Sequence, residues 1–356
     1  MKLARLAATV VLLASLLLVL GHARWLGRQP SAGRPGAERP QGAPAPSIAV
    51  PQPAFTESRQ CRECHRAIYD EWLADQHATA YAEDKYVLFT QDYSRVECLS
   101  CHAPKPMLEV GIENEPQVRP AQRQTGVDCL ACHLLSGSAR GWRGDTGAAC
   151  AGPAVPDMKT SQACFHCHSA HNLFQEYLAS PQCRQGQRCQ DCHMAEVRRP
   201  VAEGGPARAT RRHLFHAGGH DPEALKRVLR LDMGLEKGIL KVTLTNANSA
   251  HGVPGEISNR LVRLEVSVLV KSTGPNPVPG GWEEVLARQY FFRAPPRFAR
   301  DKVPSTQVMP GEPRVMVIEV PPEAVHGRIK ALLQYKLEKD LPGCEFMTML
   351  EKELDF

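Results

Sequence analysis

Ten of the chain's 13 cysteines fall in five copies of one pattern, Cys-x-x-Cys-His. The copies are Cys61-Arg62-Glu63-Cys64-His65, Cys98-Leu99-Ser100-Cys101-His102, Cys129-Leu130-Ala131-Cys132-His133, Cys164-Phe165-His166-Cys167-His168 and Cys189-Gln190-Asp191-Cys192-His193. Two thiols at this spacing can form thioethers to the vinyl groups of a single haem, and the histidine that follows then meets the iron from one side. Cys-x-x-Cys also suits tetrahedral zinc, but zinc does not require a histidine directly after each second cysteine, and all five copies have one. The pattern predicts five covalent haems c, attached through Cys61, Cys64, Cys98, Cys101, Cys129, Cys132, Cys164, Cys167, Cys189 and Cys192 and ligated by His65, His102, His133, His168 and His193.

The other axial position decides reactivity, because an iron with two histidines has no place for a substrate. Apart from His22 near the N-terminus, eight histidines lie outside the motif ligand positions: His77, His166, His171, His213, His216, His220, His251 and His326. His77, on an expected helix beyond Trp72, is the foremost candidate for a second ligand. His171, three residues after a motif histidine, is placed to reach a neighbouring haem, and His213, His220 and His251 complete the expected set. One of the cluster His213, His216 and His220 could instead be only a hydrogen-bonding partner, while His166, inside a motif, and His326, in a polar turn, are expected not to ligate. Cys150, Cys183 and Cys344 remain; in an oxidising compartment the first two could pair, or each could stand alone in a structural role. Arg198-Arg199 and Arg211-Arg212 could contact propionates, though a solvated basic face is the plainer reading.

The surrounding chain must hold these groups. Its first 23 residues carry Lys2 and Arg5, an apolar run from Leu6 to Leu20 broken by Thr9 and Ser15, and then Gly21-His22-Ala23. That is a signal peptide pattern with cleavage after Ala23, an uncleaved anchor being the alternative reading. Residues 24–54 are rich in Pro, Ala, Gly and Arg and are expected to form a linker. Residues 55–231 hold all five motifs, whose first cysteines are 37, 31, 35 and 25 residues apart, so each segment is too short for a core of its own. This region is expected to be helical and loop-rich, packed around the haems, with helices at 66–81, 173–178 and 222–231. Residues 232–356 change to β-branched and alternating stretches at 239–245, 261–270, 289–292, 315–320 and 329–335, separated by Pro and Gly. They are expected to form a β-sandwich-like domain, which makes the fold class α+β.

Cys61 to His65 followed by Tyr69, Trp72, His77 and Ala78 resembles the first haem module of the cytochrome c-554 family. Gly126-Val127-Asp128 leading into Cys129 resembles its third module. Cys189 to Met194, His213-Leu214-Phe215 and Gly218-Gly219-His220-Asp221 are similar to the later part of larger multihaem relatives, in which a β-domain bearing the pattern of Asn248-Ser249-Ala250-His251-Gly252-Val253-Pro254-Gly255 follows. The tetrahaem members have four motifs where this chain has five, and the histidine they carry soon after the third motif is replaced here by a stretch leading to Arg140.

The resemblance implies an electron carrier located in the periplasm or at the extracellular face. Its expected partners are redox proteins, either other cytochromes or a membrane quinol-oxidising complex, with membrane anchoring if the N-terminal segment stays. The alternative is a reductase or oxidase of a small nitrogen or sulfur compound at one five-coordinate haem. The formal charge of +5 does not point to nucleic acid, since haem propionates would largely cancel it.

Overall fold

The computed structural model describes residues 55–141, 150, 152–169, 172–215, 221–255, 259–272, 280–296, 303–341 and 343–356. The expected signal segment and linker, together with His171, His216 and His220, lie outside the described residues. Residues from Pro51 onward form one compact unit of mixed helix and strand, an α+β fold. Among the described residues no helix is long and apolar enough to cross a membrane.

The motif region is built of short helices: α1 (Arg59–Arg62), α2 (Arg66–Leu73), α3 (Gln76–Thr79), α4 (Asp84–Phe89), α5 (Val96–His102), α6 (Met107–Val110), α7 (Cys129–His133), α8 (Gln162–His168), α9 (Leu173–Ala179), α10 (Pro181–Arg184) and α11 (Cys189–His193). Four of the five motifs lie on helices, α5, α7, α8 and α11, where the two cysteines and the histidine fall within about two turns. The single helix expected over 66–81 is instead α2 and α3, divided at Asp75, whose extended backbone and side-chain bond to the His77 amide start a new helix. Two hairpins interrupt the helices: β1 (Leu134–Leu135) with β2 (Ser138–Ala139), and β3 (Glu196–Pro200) with β4 (Ala207–Arg211).

After α12 (Pro222–Val228) come β5 (Leu229–Glu236), β6 (Ile239–Asn246), β7 (Leu261–Lys271), β8 (Trp282–Phe292), β9 (Arg314–Glu319), β10 (Gly327–Lys336) and β11 (Met347–Asp355). Their pairings give a three-stranded sheet, β5-β6-β9, and a four-stranded sheet, β11-β10-β7-β8, with every pair antiparallel. Alternate side chains face inward, as a strand's two-residue period requires: Leu240, Val242 and Leu244 from one sheet, and Val262, Leu264, Val266, Val268, Ile329, Ala331 and Leu333 from the other, all fully buried. One apolar cluster joins both sheets and takes in Leu225 of α12. The expected junction at 231/232 falls inside β5.

Candidate haem-binding site

The histidines share one local arrangement. A ring nitrogen that binds metal leaves the other N–H free, and a hydrogen bond from that N–H fixes the tautomer and the ring's direction. His65 Nδ1 donates to the Val201 carbonyl at 2.7 Å, His102 Nδ1 to Ala80 at 2.6 Å, and His133 Nδ1 to Arg140 at 2.6 Å. His213 Nδ1 donates to the Arg211 carbonyl at 3.1 Å, and His251 Nδ1 to that of Gly252 at 3.0 Å. His77 Nδ1 donates instead to the Asp75 carboxylate at 2.8 Å. Each of these bonds engages Nδ1, so Nε2 is the atom through which the ring would meet a metal.

The rings also meet in pairs. The centroids of His77 and His168 are 6.2 Å apart, those of His133 and His213 6.1 Å, and those of His193 and His251 6.3 Å. Imidazole nitrogen sits about 2 Å from a transition metal and roughly 1 Å from its own ring centre, so two rings on opposite sides of one iron have centroids roughly 6 Å apart. Each pair joins one motif histidine to one outside the motifs. The donor set therefore fits a bis-histidine haem at the third, fourth and fifth motifs. Among the described residues no group of three or more His, Cys, Asp or Glu converges as a structural zinc site needs.

Several contacts place these rings. Trp72 Nε1 donates to the Val127 carbonyl at 2.9 Å, and the Val127 amide donates to the His77 carbonyl at 2.8 Å. The turn that allows this approach needs glycine: Gly126 has φ +61°, and a Cβ there would lie 2.4 Å from the His77 carbonyl oxygen. Asp128 then caps α7 through the Ala131 amide at 3.0 Å and is neutralised by Arg119 at 2.9 Å. The third motif is thus fastened to the helix that carries His77.

His213, far along the chain, is the imidazole outside the motifs that faces the third motif's His133. Glu71 accepts the His213 amide at 2.9 Å and a two-pronged bond from Arg199 at 2.7 Å on each prong. One helical turn on, Asp75 accepts the Phe215 amide at 2.8 Å. Burial works to raise the Glu71 and Asp75 carboxyls, but the bonds from Arg199 and His213, and from His77 and Phe215, outweigh it and hold both below their ordinary values. Burial, with the charge of His133 adding to it, pulls His213 down to about 4, which leaves it neutral, as a ligand must be. Burial likewise lowers His133.

His251 lies on the loop between β6 and β7, the second and third strands of the sheet region. The Asn246 side chain donates to the carbonyls of His251 at 2.8 Å and Val308 at 3.1 Å, and Gln307 Nε2 donates to the Pro254 carbonyl at 2.8 Å. Glu176 of α9 accepts the Gly252 amide at 2.9 Å, tying this loop to the motif region.

The motif sulfurs form a connected set. Cys61 and Cys129 share a hydrogen bond, as do Cys164 and Cys189 and Cys101 and Cys167. Cys132 lies close enough to Cys164 and Cys167 for its charge to raise both. Burial pushes Cys132 itself up to about 12. The fourth motif thus adjoins the second, third and fifth, and the first adjoins the third.

Asp75, Glu71 and Glu176 escaped sequence reasoning; the i, i+4 spacing of Glu71 and Asp75, which puts both on one helix face, was the available signal. Arg199 and Arg211 do not form a solvated basic face: Arg199 grips Glu71, and Arg211 holds the carbonyls of Gln190 and Met194 at 2.9 and 3.1 Å and Asp191 at 2.7 Å. His166 is buried in α8, its Nδ1 donating to the Ile112 carbonyl at 3.2 Å. No disulfide joins Cys150 and Cys183, and Cys183 bonds to the Tyr177 hydroxyl instead.

Residues 60–134, which span the first three motifs, match the family model of cytochrome c554 and c-prime. Among solved structures, the chain is similar to a penta-heme cytochrome c552 from Thermochromatium tepidum, with a TM-score of 0.63 at 20% identity over 85% of this chain and 99% of that one. Superoxide reductases from Archaeoglobus fulgidus (14% identity, 40% of this chain and 99% of that one) and Nanoarchaeum equitans (11%, 39% and 100%) match at a TM-score of 0.22 each, too low to carry any argument. No curated protein matches the chain. In sequence over the first three motifs, and in fold over most of its length, the chain resembles multihaem c-type cytochromes.

Proposed function

We propose that the chain is an exported carrier of electrons with five haems c, passing them between redox protein partners. The observation that carries this reading is the set of three facing histidine pairs, His77 with His168, His133 with His213 and His193 with His251, each at the spacing of two ligands on one iron. Bound haem supplies the ferric/ferrous one-electron couple. The chain's own residues hold each iron from both sides, so that at these positions no substrate binds. His171 and His220 are the ligands proposed for the first two motifs, His65 and His102.

The sulfurs of the fourth motif adjoin those of the second, third and fifth, so a haem held there would be the hub of the relay. Beside them the two sheets form a β-sandwich, whose loop brings His251 to the fifth haem. Cleavage after Ala23 would release the protein into the periplasm or to the cell's outer face, and sequencing the mature N-terminus for a start at Arg24 tests it.

The reductase reading loses its first location. The replacement of the family's histidine after the third motif left His133 without a nearby partner, and the His213 ring, its centroid 6.1 Å from that of His133, supports a second ligand there. The functional test is turnover: the reduced protein should be reoxidised rapidly by other cytochromes, and should reduce nitrite, hydroxylamine or tetrathionate no faster than free bis-imidazole haem. High turnover with any of these substrates would overturn the carrier assignment.

A further inference from the structure

Of the seven imidazoles whose Nδ1 bonds are known, His65, His77, His102, His133, His166, His213 and His251, six donate to a neutral backbone carbonyl and His77 donates to a carboxylate. We infer that Asp75 is a positioning residue that gives the His77 imidazole anionic character and so lowers the potential of the iron held between His77 and His168. The inference rests on the haem reading proposed above.

The site differs from an ordinary helix cap. Asp75 is buried with its side chain 4% exposed, and the ion pair the structure gives it is with His77 itself. The nearby carboxylates are treated otherwise: buried Asp128 is matched by Arg119, and half-buried Glu71 by Arg199. Capping α3 uses the Asp75 bond to the His77 amide at 2.9 Å, a role asparagine or serine fills about as well. The same oxygen also takes the ring N–H at 2.8 Å, and the other oxygen takes the Phe215 amide at 2.8 Å. A carboxylate pulling on Nδ1–H raises the basicity of Nε2, and a buried negative charge favours ferric over ferrous iron. Both effects make this haem harder to reduce. Phe215 packs edge-on against His77 with centroids 4.5 Å apart, and the Asp75 carboxylate is itself buried, so it acts at low dielectric.

The test is potentiometry of the haem-loaded protein with electron paramagnetic resonance. The His77 and His168 ring planes are crossed at 83°, an arrangement that would bring the two π-type d orbitals of an iron between them close in energy and give a strongly anisotropic low-spin signal, so this haem can be followed by its spectrum. Asp75→Asn keeps the cap and removes the charge; it should raise the midpoint of that signal alone. Glu71→Gln is the control, since Glu71 holds the neighbouring His213 amide without touching an imidazole ring, and it should leave that midpoint in place. If Asp75→Asn does not accumulate, Asp75→Ser, which also caps, is measured with the same two outcomes. An unmoved midpoint, or an equal rise with Glu71→Gln, overturns the inference. A denaturing mass showing no haem on Cys164 and Cys167 would instead overturn the haem reading beneath it.

Discussion

Replacing His251 with Ala tests whether the sheet region supplies an iron ligand. The rings of His251 and His193 have centroids 6.3 Å apart and lie within 14° of parallel. The loop bearing His251 is held independently of the ring, through Asn246, Gln307 and Glu176, so truncation should leave its path intact. One iron of five then loses its second imidazole and turns high spin, and the low-spin ferric signal falls by about one fifth. Ring orientation says which part of the spectrum goes. Near-parallel rings separate the iron's lower d orbitals and give a rhombic signal, whereas the crossed pair His77 and His168, at 83°, gives a strongly anisotropic one. The variant should lose rhombic intensity, keep the anisotropic signal, gain a high-spin feature and regain the rhombic signal when imidazole is added. Its mass should still include every haem. An unchanged spectrum, or loss of the anisotropic signal, would refute the pairing of His251 with His193.

A denaturing mass spectrum of the mature protein should exceed the polypeptide mass by five haems, and four or fewer would mean an unused motif. Leu264→Ala, at a fully buried position in the middle of β7, should destabilise the sheet region by about 2–5 kcal/mol in denaturant unfolding, and a loss below 1 kcal/mol would refute the shared core. Arg188 hydrogen bonds hold Asp191 at about 2 against 3.8 in the unfolded chain. A carboxyl lowered on folding stabilises above the unfolded value and loses that contribution as pH falls towards the folded one. The urea midpoint should therefore drop between pH 4 and pH 2 more steeply in the wild type than in Asp191→Asn, and parallel curves would contradict the bond.

The motif cysteines and histidines were legible because their chemistry demands fixed spacing. His77, His213 and His251 were legible as candidates by elimination, and the structure sets each opposite a motif histidine. Which motif each one faces was not legible. His77 lies 12 residues after His65 yet faces His168, a long-range pairing that no local spacing encodes. β5 was read as the tail of the helix at 222–231, since leucines at 225, 229 and 231 serve both a helical stripe and the start of an alternating strand. β11 was missed because its exposed positions hold Glu351 and Glu353, which pair across the strand with Lys330 and Arg328 and hide the apolar alternation. The break at Asp75 was missed because no proline or glycine marks it; the side chain alone starts the new helix.

The sulfur contacts bear on how the protein must be made. Cys61 touches Cys129, Cys101 touches Cys167 and Cys164 touches Cys189, each pair drawn from two different motifs. In an oxidising compartment, thiols brought together in this way are substrates for disulfide formation, and every such cross-link would block two attachment sites at once. A chain that collapsed before its haems were attached would lock itself in a dead-end form. On the five-haem reading proposed above, maturation would have an order: the attachment machinery would reach each motif while the polypeptide is still open, and compaction would wait for the last thioether.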